Sequence, residues 1–140
     1  MTRKVTVLIV DDDSSFCEIV SEMFDMKFGD TVEIYCAKDK EEYNSYQNSY
    51  FDICIIDNFI NGKPIAREIV DSLKENSTST NIYIATGYSS YDVLKSFINA
   101  GISGFIEKNE LNFGIIFSKI EEILATEQGL EKIKRKIDNI

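Results

Sequence analysis

The chain has 140 residues, 44% hydrophobic and 28% charged, which suits one domain with a buried core and argues against disorder. Fifteen basic against twenty-four acidic residues leave a net charge of −9, which opposes non-specific binding to nucleic acid or to an anionic membrane. Histidine is absent, so His-ligated zinc, Ser–His and Cys–His nucleophile pairs and a role as histidine phosphodonor are excluded.

No apolar run approaches the roughly 18 residues of a transmembrane helix. Met1-Thr2-Arg3-Lys4 leads only into a strand-length apolar segment. The expectation is a cytoplasmic protein with no signal peptide and no membrane partner. Cys17, Cys36 and Cys54 are odd in number, widely spaced and set among apolar neighbours. They read as small core residues in a reducing compartment, not as a disulfide or metal framework.

In chain order, Val5 to Val10 is an apolar, β-branched run broken only by Thr6, the pattern of a buried strand. Phe16, Ile19, Val20, Met23 and Phe24 then follow the spacing of one helix face, with Asp13 or Ser14 as cap and Gly29 as terminator. Thr31 to Cys36 reads as a second strand, and Lys40 to Gln47 as a short helix with Tyr43 and Tyr46 inward. Ile53 to Ile56, closed by Asp57, is a third strand. Pro64 stands where a first helical residue is expected, before the stripe Ile65, Ile69, Val70, Leu73. Ile82 to Ala85 is a fourth strand, and Val93, Leu94, Phe97 and Ile98 mark a fourth helix. Gly104 to Ile106 is a fifth strand, and Phe113, Ile116, Phe117, Ile120, Ile123 and Leu124 mark a fifth helix. Five strand–helix alternations predict an α/β, doubly wound, five-stranded parallel sheet with helices on both faces. Ligands of such sheets sit at the carboxyl ends of the strands.

Those ends carry Asp11-Asp12-Asp13, Asp57, Thr86-Gly87 and Glu107-Lys108. Asp13 alone reads as a helix N-cap. Asp57 closes the most apolar strand, where an unneeded carboxylate is disfavoured. Asp11, Asp12 and Asp57 sum to −3, against +1 from Lys108 and +2 from a magnesium ion, which prefers a few carboxylates, waters and a phosphate oxygen. Such an ion aligns a phosphoryl group on a carboxylate nucleophile. The Thr86 hydroxyl and the Gly87 N–H stand where new phosphoryl oxygens need donors.

VLIVDDDSS, a strand ending in Asp57, IYIATGY and GFIEK, in this order and spacing, resemble response-regulator receiver domains of two-component signalling (CheY-like, flavodoxin-like fold) from Val5 to Leu124. The resemblance implies that Asp57 is the phosphoacceptor, charged by a histidine kinase or histidine phosphotransfer protein. It implies Mg²⁺ bound by Asp11, Asp12, Asp57 and the backbone carbonyl of Phe59. It further implies Lys108 against the phosphoryl group, Thr86 as switch hydroxyl, Phe105 as switch aromatic and a downstream protein partner, with no classical enzyme activity. Three positions depart from the family pattern. Asn61 stands for a proline, Ile65 for a glycine, and Asn109 for the proline after the lysine. The loop after strand three is therefore expected to be reshaped, and the Lys108–Asn109 bond to be trans.

Two other readings fit parts of the pattern. Asp11-Asp12-Asp13-Ser14-Ser15 matches the D-x-D-x-[ST] opening of haloacid-dehalogenase-like phosphatases, with Asp11 as nucleophile and Asp13 as acid–base. That reading leaves Asp57 without a role and lacks an acidic pair after Lys108. A receiver-like module that only binds partners is the other, against which stand Asp57, Thr86 and Lys108.

The chain divides into a receiver segment, 1–126, and a helical extension, 127–140. The extension carries four basic and three acidic residues, read as a solvated helix face and not as a direct nucleic-acid contact. Leu130, Ile133, Ile137 and Ile140 continue the fifth helix's apolar stripe past Gly129, where a bend or break is expected. That stripe calls for cover from its own domain, from a partner's linker helix or, the favoured occupant, from a second copy in a homodimer.

Overall fold

The computed structural model describes residues 3–77, 79–87, 95–97 and 99–139. Its strands are β1 (Val5–Val10), β2 (Val32–Ala37), β3 (Ile53–Asp57), β4 (Asn81–Thr86) and β5 (Gly104–Glu107). They form one all-parallel sheet in the order β2-β1-β3-β4-β5. The interior strands β1 and β3 are covered on both faces, which is why they read as nearly unbroken apolar runs.

Helices α1 (Ser14–Phe28), α2 (Lys40–Ser45) and α3 (Ala66–Asn76) precede a C-terminal helix, Gly114–Asp138. Phe16, Val20 and Phe24 of α1 join Ile116 and Ile120 of the C-terminal helix against Val7, Ile9 and Ile55. On the opposite face, Tyr43 of α2 and Ile69 and Val70 of α3 pack with Phe97 against Leu8, Val10, Ile56 and Ile84. Helices therefore cover both faces. Arg3 fastens the chain start to this body through two 2.8 Å bonds to Asp52 and a 3.0 Å bond to Glu127.

Several expectations need correction. Ile19 does not join the buried face of α1; it is exposed, and Cys17 takes the inward position. Helix α3 begins at Ala66 with Ile65 as cap, so Pro64 lies before the helix and not in its first turn. Cys36 is exposed and not a core residue. The predicted fourth helix falls mostly outside the described residues (Val93, Leu94 and Ile98), as does Ile140; Phe97 is described and buried.

The fifth helix does not break at Gly129 but runs on to Asp138. Glycine costs a helix about 1 kcal/mol, which cooperative bonding on either side offsets. Leu130, Ile133 and Ile137 remain 58%, 56% and 62% exposed, so the stripe is not folded back on its own domain.

Candidate functional site

β1 ends at Val10, and the next residue, Asp11, is held by its own N–H, which donates to Ala37 O at 2.9 Å. Asp11 Oδ1 accepts from Asp13 N at 2.9 Å, which turns the chain toward α1. Asp13 then caps that helix, accepting from Ser15 N at 3.0 Å and Phe16 N at 3.2 Å. Asp13 Oδ1 is thereby engaged as the helix cap, the role its position suggests.

Asp57 is the last residue of β3, between β1 and β4. One carboxylate oxygen each from Asp11, Asp12 and Asp57 lie within 4.8 Å of one another. Lys108, directly after β5, places Nζ 2.8 Å from Asp11 Oδ2 and 3.5 Å from Asp57 Oδ2. The Phe16 ring lies under that ammonium at 4.6 Å from its centroid, an aromatic floor that steadies the lysine. The peptide bond into Asn109 is trans, as expected.

Burial disfavours every charge here. Burial first, then the charge of Asp11, pushes the Asp57 carboxyl up to about 6, against the opposing pull of Lys108 and the Phe59 N–H. Asp11 is also raised by burial, with Lys108 and the Asp13 N–H working the other way. Burial alone would lower Lys108, yet the hydrogen bond and charge of Asp11 and the charge of Asp57 leave it raised. One lysine thus answers three carboxylates.

The donor set fits a divalent cation. Asp11 is 1% exposed, and its Oδ2 faces the Lys108 ammonium at 2.8 Å as its one protein partner among the described residues. A buried carboxylate of this kind, beside two further carboxylates, suits a hard, oxygen-seeking ion such as Mg²⁺.

The form of the loop after β3 explains Asn61 and Gly62. Ile60 and Lys63 exchange both backbone bonds, at 3.0 and 3.1 Å, across a two-residue turn. Asn61 and Gly62 both take positive φ, 54° and 75°, the geometry for which Asn-Gly is the favoured dipeptide. The turn delivers Asn61 N–H to Asp12 Oδ2 at 2.8 Å. The Asn-Gly dipeptide signals the turn in the sequence; the bond to Asp12 comes from the fold. Phe59 sends its N–H toward Asp57 Oδ1 at 3.5 Å, with a side chain half exposed.

Thr86 is the buried last residue of β4, one position beyond the Ala85 that pairs with Asp57. Asn109 Nδ2 donates to Gly87 O at 3.1 Å and ties the fourth and fifth strand ends together. Phe105 lies on β5 opposite Ile84, its ring 6.2 Å from that of Phe97 in an edge-on contact. The structure thus gathers Asp11, Asp12, Asp57 and Lys108 into one cluster, with Thr86 at the same edge and Phe105 beside Phe97. Sequence reasoning missed Phe16 as the floor and Asn61 as the partner of Asp12.

Residues 7–121 match the family model of the response regulator receiver domain. The chain belongs to that family. Solved structures similar to this receiver domain share its fold. One is a CheY-like receiver domain protein from Methanospirillum hungatei JF-1, 24% identical over 90% of this chain and 98% of that one, with a TM-score of 0.69. Another is a two-component response regulator from Clostridium difficile, 20% identical over 87% and 97% of the two chains, TM-score 0.73. A third, from Burkholderia pseudomallei, is a response regulator with a phosphorylated aspartic acid, calcium ion and citrate. It is 17% identical over 97% of this chain and 85% of that one, TM-score 0.71. No curated protein sequence matches this receiver domain. Among its described residues no helix is long and apolar enough to cross a membrane.

Proposed function

We propose that this receiver domain accepts a phosphoryl group on Asp57, in a Mg²⁺-dependent reaction, from the phosphohistidine of a kinase or a histidine phosphotransfer protein. The observation that carries the reading is the cluster of three carboxylates within 4.8 Å with Lys108 reaching two of them. The Burkholderia relative, with its phosphorylated aspartic acid and calcium ion, supports it. A carboxylate oxygen of Asp57 attacks phosphorus while the donor's P–N bond breaks. The electron pair leaves with the imidazole, which takes a proton from solvent. A bound Mg²⁺, held by Asp11, Asp12, Asp57 and the Phe59 carbonyl, supplies charge neutralisation at the phosphoryl oxygens.

Lys108 contributes the remaining positive charge and Thr86 a hydroxyl for a phosphoryl oxygen. Phosphorylation turns the single charge of Asp57 into about two. Drawing in Thr86 vacates space for the Phe105 ring, which alters the face made by the Phe97 segment, β5 and the C-terminal helix. That face is the surface for a downstream protein in the cytoplasm. The switch needs two states only a few kcal/mol apart. The domain acts as a phosphoacceptor, not as an enzyme with turnover on a separate substrate.

The extension over 127–140 pairs with a second copy. Leu130, Ile133 and Ile137 step by three and four, the spacing of a two-stranded helical seam, and each is more than half exposed.

Intact-mass measurement with acetyl phosphate tests the phosphoryl reading. One phosphoryl should appear with Mg²⁺, none with a chelator, and none in Asp57→Asn. Equal labelling of that variant overturns the assignment, and transfer to Asp11 instead would favour phosphatase chemistry.

A further inference from the structure

Two copies paired along the C-terminal helix can run parallel or antiparallel, and the residues flanking the seam distinguish the two. Read as heptads, Ile123, Leu130 and Ile137 take the a positions and Thr126 and Ile133 the d positions. Leu130, Ile133 and Ile137 are open to solvent, while Ile123 is partly covered by its own domain. Glu122, Gly129 and Lys136 then take the g positions, and Glu127 and Lys134 the e positions. In a parallel pair each g residue faces the following e residue of the other copy. That sets Glu122 against Glu127 twice and leaves Lys134 opposite Gly129. In an antiparallel pair e faces e and g faces g. Glu127 then meets Lys134 twice, and Gly129 meets Lys136.

The two ends of the seam repeat the contrast. From 131 to 139 the helix carries four basic residues against Glu131 and Asp138. Its base borders a hollow of about 210 Å³ lined in part by Arg3, Asp52, Glu122, Ile123, Thr126 and Glu127. Arg3 answers Asp52 and Glu127, at 2.8 and 3.0 Å, and Lys119 answers Glu122 at 3.2 Å. Three carboxylates thus face two cations, and the rim keeps an excess of negative charge. An antiparallel partner brings a basic tip to this acidic base, whereas a parallel one sets tip against tip.

We propose, resting on the pairing given above, that the two copies run antiparallel about a two-fold axis between Glu131 and Lys132, each basic tip reaching the hollow at the base of the other helix. Thr126 of one copy then packs against Ile137 of the second copy, and Leu130 against Ile133. Each contact occurs twice, as two-fold symmetry requires. Phe113, the cap residue of the helix, lies 6.3 Å from the Phe16 ring beneath Lys108, so each helix starts beside its own carboxylate cluster. At a rise of about 1.5 Å per residue the two starts lie roughly 50 Å apart along the axis. Both clusters therefore stay clear of the interface and open to a phosphodonor.

The test uses the full chain carrying Thr126→Cys or Ile137→Cys, each oxidised alone and then as an equal mixture. Digestion and mass spectrometry identify the linked peptides. The mixture should give a dimer linked between positions 126 and 137. Neither variant alone should link through its new cysteine, because like positions lie about 16 Å apart along an antiparallel pair. In sedimentation at low salt, Lys134→Glu should weaken dimerisation roughly tenfold, since it turns attractive pairs into repulsive ones. Self-linkage of either cysteine variant without the mixed product overturns the antiparallel arrangement while the pairing itself stands. A dimer with neither linkage, or one indifferent to Lys134→Glu, overturns the arrangement as well. A full chain that stays monomeric at high concentration overturns the pairing and the arrangement together.

Discussion

Removing the Asp57 carboxylate should make the metal-free protein more stable at neutral pH. Asp57 titrates near 6 in the fold against an ordinary value of 3.8. The folded state therefore prefers its neutral form. The stability this preference adds is complete below about pH 3.8 and is lost as pH rises through about 6. About two units at 1.36 kcal/mol each give a ceiling of about 3 kcal/mol of strain above pH 7. Asp57→Asn relieves that strain, which is already net of the attraction of Lys108 at 3.5 Å, and solvent screening at the partly exposed rim brings the effect below the ceiling. The net expectation is about 1–2 kcal/mol in favour of the variant, or on the order of 3–8 °C in melting temperature for a domain of this size. Urea and thermal melts of chelator-treated wild type and Asp57→Asn from pH 4 to 8 measure it. The two proteins should coincide near pH 4 and separate toward pH 7. Millimolar Mg²⁺ should raise the wild type more than the variant, because the ion binds the folded carboxylate cluster. A variant less stable at pH 7.5, or a gap unchanged with pH, would refute the reasoning.

Three further outcomes are expected. Gly62→Ala should lower the urea-derived stability by about 1–2 kcal/mol, the cost of placing a Cβ at positive φ, since no atom within 4 Å opposes the methyl group itself; an unchanged midpoint would show that the turn relaxes. Phe59→Asn should shorten the lifetime of the acyl phosphate, because an apolar ring cannot orient an attacking water and an amide can; radiolabel decay at equal rates would place the ring away from the phosphorus. In sedimentation, the full chain should gain mass with concentration while a chain cut after Thr126, or carrying Ile133→Glu, should not. A full chain monomeric at high concentration ends the pairing of the C-terminal helix.

Much of the fold was legible because parallel strands buried on both faces leave long apolar runs, as Val5–Val10 and Ile53–Asp57 do. Pattern reading failed where it had to judge one residue against its neighbours. Cys17 displaced Ile19 on the inner side of α1, a choice made by what β2 and the C-terminal helix offer as partners. Gly129 was a plausible break, yet the helix carries through it. Local propensity of about 1 kcal/mol is small beside the cooperative bonding of 25 helical residues.

The candidate site was legible for a different reason. Acids at two strand ends and a lysine at a third can be placed from the strands alone, since in this architecture one edge of the sheet collects them. What needed coordinates were contacts whose partners come from distant chain segments. Phe16 meets Lys108 only because the lysine side chain reaches across the strand ends to Asp11, beside the first turn of α1. The Asn61–Gly62 turn was readable, and its geometry gives Asp12 a backbone donor where the family pattern has proline. A two-residue turn reverses the chain within one bridge, and its first N–H lands on Asp12 at 2.8 Å. The loop thereby supports an acidic residue of the cluster by a backbone bond. No side chain of the altered positions is asked to do this. A receiver can therefore change its loop sequence and still present Asp12 to the same corner as Asp57 and Lys108.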